Sequence, residues 1–195
     1  FCRWDLLQSA WIDVIKGAEE QPQLITKFVG LLSNILMDET IPDAVKAELL
    51  SQPSFDMIAQ SYTQVDVEQI LSNKQEIVSV FASSQEDNLK RRLEQLSNID
   101  NGYETELVAK RRLRNVLVSY MGHINTERNE TYLAGIVSSC KNMTERMGAL
   151  DAVKVHFIDL LQTSVKKLEQ ECAGNVLVLD KIFSTVAKIP GSEVY

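Results

Sequence analysis

Two histidines, His123 and His156, are the residues best suited to acid–base or metal chemistry, and they stand far apart in the chain. A zinc peptidase helix needs two histidines four residues apart, so that both imidazoles reach one ion, with a glutamate beside them as general base. The sequence contains no such motif. His123 precedes Glu127 by four residues and His156 precedes Asp159 by three. Pairs with this spacing are common on helix surfaces, so neither pair by itself predicts a metal site.

Other catalytic patterns are absent from the sequence as well. It has no Gly-x-Ser-x-Gly segment for a serine nucleophile and no glycine-rich phosphate loop, and Gly191-Ser192 lacks the strand that precedes such a loop. The acids Glu19-Glu20, Asp38-Glu39 and Glu169 with Glu171 fall near predicted helix ends or on polar faces, where solvation explains them. We therefore predict no catalytic, cofactor-binding or metal-binding residue in this chain.

Basic and aromatic clusters have two interpretations each. Lys90-Arg91-Arg92 and Lys110-Arg111-Arg112 with Arg114 suit a nuclear address or a contact patch for anions. They also suit solvated helix faces whose charges pair with the many acids nearby, and we favour this second interpretation. Trp4 and Trp11 stand seven residues apart on one predicted helix face. They predict core or interface anchors rather than a ligand cage.

The overall charge excludes some classes of partner. The chain has 195 residues, with 20 Lys and Arg against 27 Asp and Glu, and a formal net charge of −7. A nucleic-acid module needs a basic surface, so we expect no nucleic-acid partner. With 45% apolar and 24% charged residues, the composition is that of a folded domain. No apolar run approaches the ~20 residues of a membrane helix, and we expect no membrane association.

The cysteines and sequons bear on the compartment. Cys2, Cys140 and Cys172 cannot all pair within the chain, and none stands in a Cys-x-x-Cys spacing, so no disulfide framework or zinc ribbon is predicted. This usage favours a reducing compartment, and we predict a cytoplasmic location. The sequons Asn129-Glu130-Thr131 and Asn142-Met143-Thr144 would matter only in a secreted protein, and we interpret them as chance occurrences.

Apolar residues recur at helical spacing through most of the chain, which has only 8 Gly and 4 Pro. Val65 to Leu96 contains neither, and predicts one long helix or two joined near Ser83-Ser84. The other predicted helices are Trp4–Ile15, Leu24–Leu36, Ala44–Leu50, Tyr103–Met121 ended by Gly122, Tyr132–Cys140, Phe157–Leu168, and Val178–Val186 before Pro190-Gly191. We predict an all-α, irregular, solenoid-like stack of about eight to ten amphipathic helices packed pairwise. No fixed repeat period is visible, and we predict a single domain over residues 1–195.

Five short segments, in order along the chain, carry a family resemblance. They are Phe1-Cys2-Arg3-Trp4-Asp5 with Gln8-Ser9; Leu36-Met37-Asp38-Glu39 with Ala47-Glu48, Leu50 and Pro53-Ser54; Ala109-Lys110-Arg111 with Leu113-Arg114-Asn115; Asn142-Met143-Thr144; and Leu177 with Asp180-Lys181 and Phe183. Together they resemble the aminopeptidase N family of zinc metallopeptidases, in its bacterial and protozoan branch. The resemblance runs from Phe1 to about Ala187. It departs from the family at Cys2, where Asn is usual, and at Ile182, where Trp is usual.

The resemblance implies a multidomain exopeptidase that removes single amino acids from the N-termini of peptides with one zinc ion. It assigns this chain to the first part of the C-terminal helical domain. The family's His-Glu-x-x-His motif, its glutamate ligand and its Gly-x-Met-Glu-Asn segment lie in upstream domains, and neither motif occurs here. The family's chamber arginines belong to a segment after the last match. We therefore expect zinc to be bound outside this chain, and no family site residue carries over to it.

The leading functional hypothesis follows from that position. The chain is expected to be a non-catalytic piece of a longer polypeptide, consistent with the absence of a Met before Phe1, that covers the catalytic domain and shapes the peptide chamber. Its expected partners are the other domains of that polypeptide and the peptide substrates, with Trp4 and Trp11 or the cluster Arg111 to Arg114 lying against neighbouring domains. One alternative is a free-standing helical scaffold for a protein partner. Another is an enzyme built on His123 or His156.

Overall fold

Helices are the only regular secondary structure in residues 2–187, the part of the chain that the computed structural model describes. Phe1, Pro190-Gly191 and Gly191-Ser192 lie outside the described residues. The eleven described helices are α1 (Cys2–Gly17), α2 (Gln23–Met37), α3 (Asp43–Leu50), α4 (Phe55–Ala59), α5 (Val67–Ser84), α6 (Glu86–Gln95), α7 (Thr105–Met121), α8 (Glu127–Ser139), α9 (Met143–Val153), α10 (Ile158–Glu171) and α11 (Val176–Val186).

The predicted all-α class is confirmed, with differences in individual helices. The stretch from Val65 to Leu96 forms two helices, α5 and α6, which meet at Gln85. Gly122 directly follows α7, as predicted. The apolar spacing did not indicate α4, which has only five residues, or α9. None of the described helices combines the length and the apolar character needed to cross a lipid bilayer.

The described chain groups into two compact units, with the boundary between Val116 and Leu117 inside α7. The single domain over residues 1–195 stays a prediction.

The first unit is built around α1, which packs against α2, α3 and α5. The apolar side chains of α1 recur every three or four residues, and this spacing places them on one face of the helix. Trp11 on that face is completely buried, and its ring meets the edge of Phe28 from α2 at a centroid distance of 4.8 Å and an angle of 74°. Such edge-to-face packing stabilises a core beyond simple burial.

Two buried amides hold α1 to its neighbours in the first unit. The Nε2 of Gln8 donates to the carbonyl of Ser51 at the end of α3, at 3.1 Å. The Nδ2 of Asn73 on α5 donates to the carbonyl of Ile15 at 2.9 Å. Because an unpaired buried amide is costly, these bonds fix the positions of α3 and α5 against α1.

The second unit is organised around α9, which packs against α8, α10 and α11. Its buried residues include Ala149, Leu150, Ala152 and Val153. Since neighbouring helices cover α9 on several sides, it lacks the single apolar stripe by which sequence patterns reveal a helix. The backbone at Gly122 approaches α9 so closely that a Cβ there would overlap the carbonyl oxygen of Ala152.

Candidate functional site

The two histidines lie in turns rather than on helices. His123 is half-buried in the turn after α7, and His156 is exposed in the turn between α9 and α10. The ring of His156 meets the edge of Phe157 at a centroid distance of 6.4 Å, and burial lowers its pKa from 6.5. Because neither histidine lies in a helix, the spacing to Glu127 and Asp159 does not place either pair on one helix face.

The described part of the chain contains no set of side chains that could bind zinc. Within residues 2–187 no three His, Cys, Asp or Glu side chains come together as metal ligands. Catalytic zinc is held by three protein ligands, with His, Glu or Cys as the usual donors. The described residues therefore do not fit a zinc site. None of the three cysteines forms a disulfide with a described residue.

The first basic cluster is largely neutralised. Lys90 pairs with Glu86 on the preceding turn of α6, and Arg92 pairs with Asp43 from α3. Arg91 is exposed, and its Nη2 donates to an amide oxygen on the same helix at 3.2 Å. Lys90 and Arg92 therefore pair with nearby acids, as the favoured interpretation of this cluster predicted.

The second basic cluster is divided between the surface and the interior. Lys110 pairs with Glu106 at 2.5 Å, and Arg112 pairs with Glu48 from α3. These two side chains and their acids are partly exposed, so each pair contributes little to stability. The cluster does not present a continuous basic surface to a nucleic acid or a transport receptor.

Arg111 and Arg114 are buried, with residue exposures of 8% and 6%. Arg111 donates from Nη1 to the carbonyl of Asp100 and from Nη2 to the carbonyl of Gly102, both at 2.7 Å. The guanidinium therefore fixes the loop before α7. The burial of Arg111 and Arg114 leaves little of either side chain available for contact with another domain, and the hypothesis that the cluster lies against a neighbouring domain stays a prediction.

The tryptophans differ from each other in exposure. Trp11 is fully buried in the first unit, so the expectation that it is a core anchor is confirmed. The accompanying hypothesis that it contacts a neighbouring domain is wrong, because none of its surface reaches solvent. Trp4 is half-buried.

The acid pairs have ordinary surface roles. Glu19 and Glu20 are exposed in the turn after α1. The carboxylate of Asp38 accepts from the backbone N–H and the hydroxyl of Thr40, at 2.9 and 2.6 Å, and these bonds lower its pKa. Glu171 pairs with Arg146 at 2.8 Å.

The resemblance segments supply side chains that cap helices in both units. Ser54 caps α4 by accepting a hydrogen bond from the N–H of Met57 at 3.3 Å. Asn142 caps α9 by accepting from the N–H of Glu145 at 2.9 Å. Helix caps of this kind each contribute about 1 kcal/mol of stability. Ser54 and Asn142 therefore stabilise the starts of α4 and α9.

The matched segment on α11 exposes two of its large apolar side chains. On α11, Leu177 and Phe183 are 77% and 55% exposed, and Val176 beside them is 68% exposed. Ile182, which stands where the family has Trp, is fully buried on the opposite side. Three large apolar side chains exposed on one helix mark a candidate interaction surface, which we call the α11 apolar face.

The chain is similar in sequence to one aminopeptidase and in fold to the solved structure of another. Aminopeptidase N of Escherichia coli (strain K12) is 26% identical over 205 residues, a match that spans 100% of this chain and 23% of that protein. The crystal structure of Legionella pneumophila aminopeptidase A in complex with aspartic acid superposes with a TM-score of 0.80 at 18% identity, over 98% of this chain and 24% of that one. The chain thus spans about a quarter of the length of these relatives. The structural likeness supports the all-α fold.

A protein family also matches the whole chain. The family is described as "Domain of unknown function (DUF3458_C) ARM repeats", and it matches residues 1–195. It forms the C-terminal domain of aminopeptidase N. The predicted resemblance is therefore confirmed: this chain belongs to the DUF3458_C family of ARM-repeat domains.

Proposed function

We propose that this chain is a non-catalytic helical domain of a zinc aminopeptidase, which covers the catalytic domain and shapes the chamber that receives peptides. One observation carries the proposal: the whole chain aligns with about a quarter of an aminopeptidase N. The parent protein is proposed to remove amino acids from the N-termini of peptides. The cytoplasmic location of that protein stays a prediction.

Under this proposal the zinc ion and its ligands belong to another domain of the same polypeptide. The residues described here support this assignment through their own chemistry, because their two histidines lie in separate turns and no set of three potential ligands converges. When bound at that other site, zinc would supply Lewis-acid chemistry for peptide hydrolysis. This chain would act by excluding bulk solvent and by limiting which peptides enter.

The α11 apolar face supports a role against other parts of a larger protein. Exposed apolar clusters of this kind usually mark contact with another protein surface. Because the face lies on the last described helix of the second unit, further protein packed there would cover Leu177 and Phe183. The same observation favours a second candidate function, a free-standing helical scaffold that binds a separate protein.

Activity measurements on two forms of the protein test the proposal. The full-length protein should release N-terminal amino acids from aminoacyl amides and peptides, and a zinc chelator should abolish this release. Residues 1–195 alone, supplied with zinc, should not hydrolyse either substrate. Metal-dependent turnover by residues 1–195 would contradict the proposal, and an inactive full-length protein with a tightly bound protein partner would favour the scaffold.

A second measurement tests chamber formation separately from catalysis. A short peptide and a folded protein are prepared with the same N-terminal residues. A closed chamber predicts that the full-length protein cleaves the peptide and leaves the folded protein intact, because only the peptide can enter. Equal rates on both substrates would refute chamber shaping while leaving the peptidase assignment in place.

A further inference from the structure

A cavity of about 410 Å³ opens in the first unit beside the connection between α2 and α3. It is lined by residues from the end of α2, from this connection, from α3 and from α6. Its volume falls within the range of small-molecule sites, which are roughly 300–1,000 Å³. Most of its lining residues lie outside the segments that carry the family resemblance.

Three cationic side chains line this cavity: Lys46 from α3, and Arg91 and Arg92 from α6. Lys46 is buried, with a residue exposure of 3%, and its Nζ donates to the carbonyl of Leu36 at 3.0 Å. Burial lowers the pKa of Lys46, and the positive charge of Arg92 lowers it further. Two cations are therefore held close enough to repel one another with limited access to water.

The carboxylates around the cavity do not use all the donors of these cations. Asp43 pairs with the Nη2 of Arg92, while the exposed Glu39 on the rim forms no ion pair with a described residue. The Nε of Arg92 is buried and has no hydrogen-bond partner among the described residues. Among the described residues, Arg91 contacts only neutral groups, an amide oxygen at 3.2 Å and a thioether sulfur at 3.4 Å. Guanidinium groups bind carboxylates through two parallel hydrogen bonds, for which this arrangement leaves donors available.

Apart from the amides of Asn88 and Gln95, the remaining lining is apolar, and this apolar part sets the second requirement of a ligand. Leu36, Met37, Ile41 and Pro42 form the part of the wall that belongs to the end of α2 and the connection. Met37 is 42% exposed, so its side chain still has apolar surface to bury. A bare inorganic anion would leave this wall in contact with water. An anion that carries a short apolar group would cover it.

We propose that this cavity binds a small carboxylate with an apolar side group, about the size of an acylated amino acid. The guanidinium of Arg91 holds the carboxylate, and the positive charges of Arg92 and Lys46 attract it. The apolar group lies against Leu36 and Ile41. This site is independent of the proposed peptidase function and involves none of its catalytic groups.

Calorimetric titration of the full-length protein with N-acetyl-L-leucine at pH 7 tests the site. The wild-type protein should bind this probe saturably at millimolar concentrations or below. N-acetyl-L-leucinamide, which lacks the charge, should not bind. Arg91→Gln should weaken binding about tenfold, because one charge-assisted contact is lost. Lys46→Met, which keeps the apolar stem of the side chain, should weaken binding as well.

Lys90→Gln is the matched control for Arg91→Gln. Lys90 is the neighbouring cation of α6, pairs with Glu86 and does not line the cavity, so its loss changes the net charge equally. Binding to this variant should match the wild type. The proposal is overturned by an absence of saturable binding, by equal weakening in both variants, or by equal binding of the amide. Inorganic phosphate binding more tightly than the acyl amino acid would overturn the assignment of a carboxylate ligand.

Discussion

Replacement of Gly122 by alanine should destabilise the second unit by steric conflict. A Cβ at this position would overlap the carbonyl oxygen of Ala152 and lie 2.9 Å from the carbonyl carbon and the Cα of that residue. Since carbon atoms pack best at roughly 3.5–4.0 Å, the backbone of α9 would have to move by about 0.6–1 Å. Overpacking of this kind costs about 1–3 kcal/mol, and backbone atoms cannot yield by changing rotamer.

Gly135→Ala is the matched control within the same unit. Gly135 is exposed inside α8, and a Cβ there would meet nothing within 4 Å. Alanine should therefore stabilise α8 by about 0.5–1 kcal/mol, because it loses less backbone entropy on folding than glycine. Urea unfolding of the purified chain, followed by circular dichroism, should shift to lower urea for Gly122→Ala and to higher urea for Gly135→Ala. A Gly122→Ala variant as stable as Gly135→Ala would refute the close approach of the backbone to α9.

Three further substitutions or titrations have defined outcomes. Asn129→Ala removes two buried hydrogen bonds of 2.8 Å from Nδ2 to backbone carbonyls, and should lower the free energy of unfolding by about 2–4 kcal/mol in urea titrations. In Arg111→Lys a single ammonium replaces the two guanidinium nitrogens that donate to the loop carbonyls, so limited proteolysis should cut faster at residues 100–102. Arg112→Lys, on the surface, should leave the rate of proteolysis unchanged. Partial burial lowers the pKa of His156 in the folded protein below 6.5, so the unfolded chain binds a proton at His156 more tightly than the folded chain does. The stability that comes from keeping His156 neutral is therefore present above pH 6.5 and is lost as the pH falls toward the folded pKa. An NMR titration should give a folded pKa below 6.5, and His156→Gln should remove that part of the pH dependence of unfolding.

The sequence predicted those helices that bury one face. In α1 and α2 the apolar residues recur at helical spacing and are the residues that the structure buries. The family resemblance was also informative, since the matched segment Asn142-Met143-Thr144 lies at the start of α9. The body of α9 escaped prediction because helices on several sides bury it, and α4 because five residues are too few for a periodic pattern.

Residues whose roles depend on distant parts of the chain could not be assigned from sequence. Gly122 was predicted only to end a helix, and its close approach to α9 depends on Ala152, thirty residues later. Lys46 follows an ordinary helix pattern, and only the packing of α3 buries its ammonium beside Arg92. Arg111 was grouped with its basic neighbours, although its guanidinium is committed to two backbone carbonyls. Local spacing does not encode such long-range contacts.

We propose that this chain contributes no ligand to zinc and no catalytic group to the aminopeptidase of which we propose it is a part. The most direct test replaces both histidines in the full-length protein, as His123→Gln with His156→Gln, and measures bound zinc together with the turnover of an aminoacyl amide. The account predicts the wild-type zinc content and a kcat/KM unchanged within about twofold, since a loss below about 0.5 kcal/mol is typical of positions away from chemistry. Loss of the zinc ion together with the activity would contradict the account and place the metal centre within this chain.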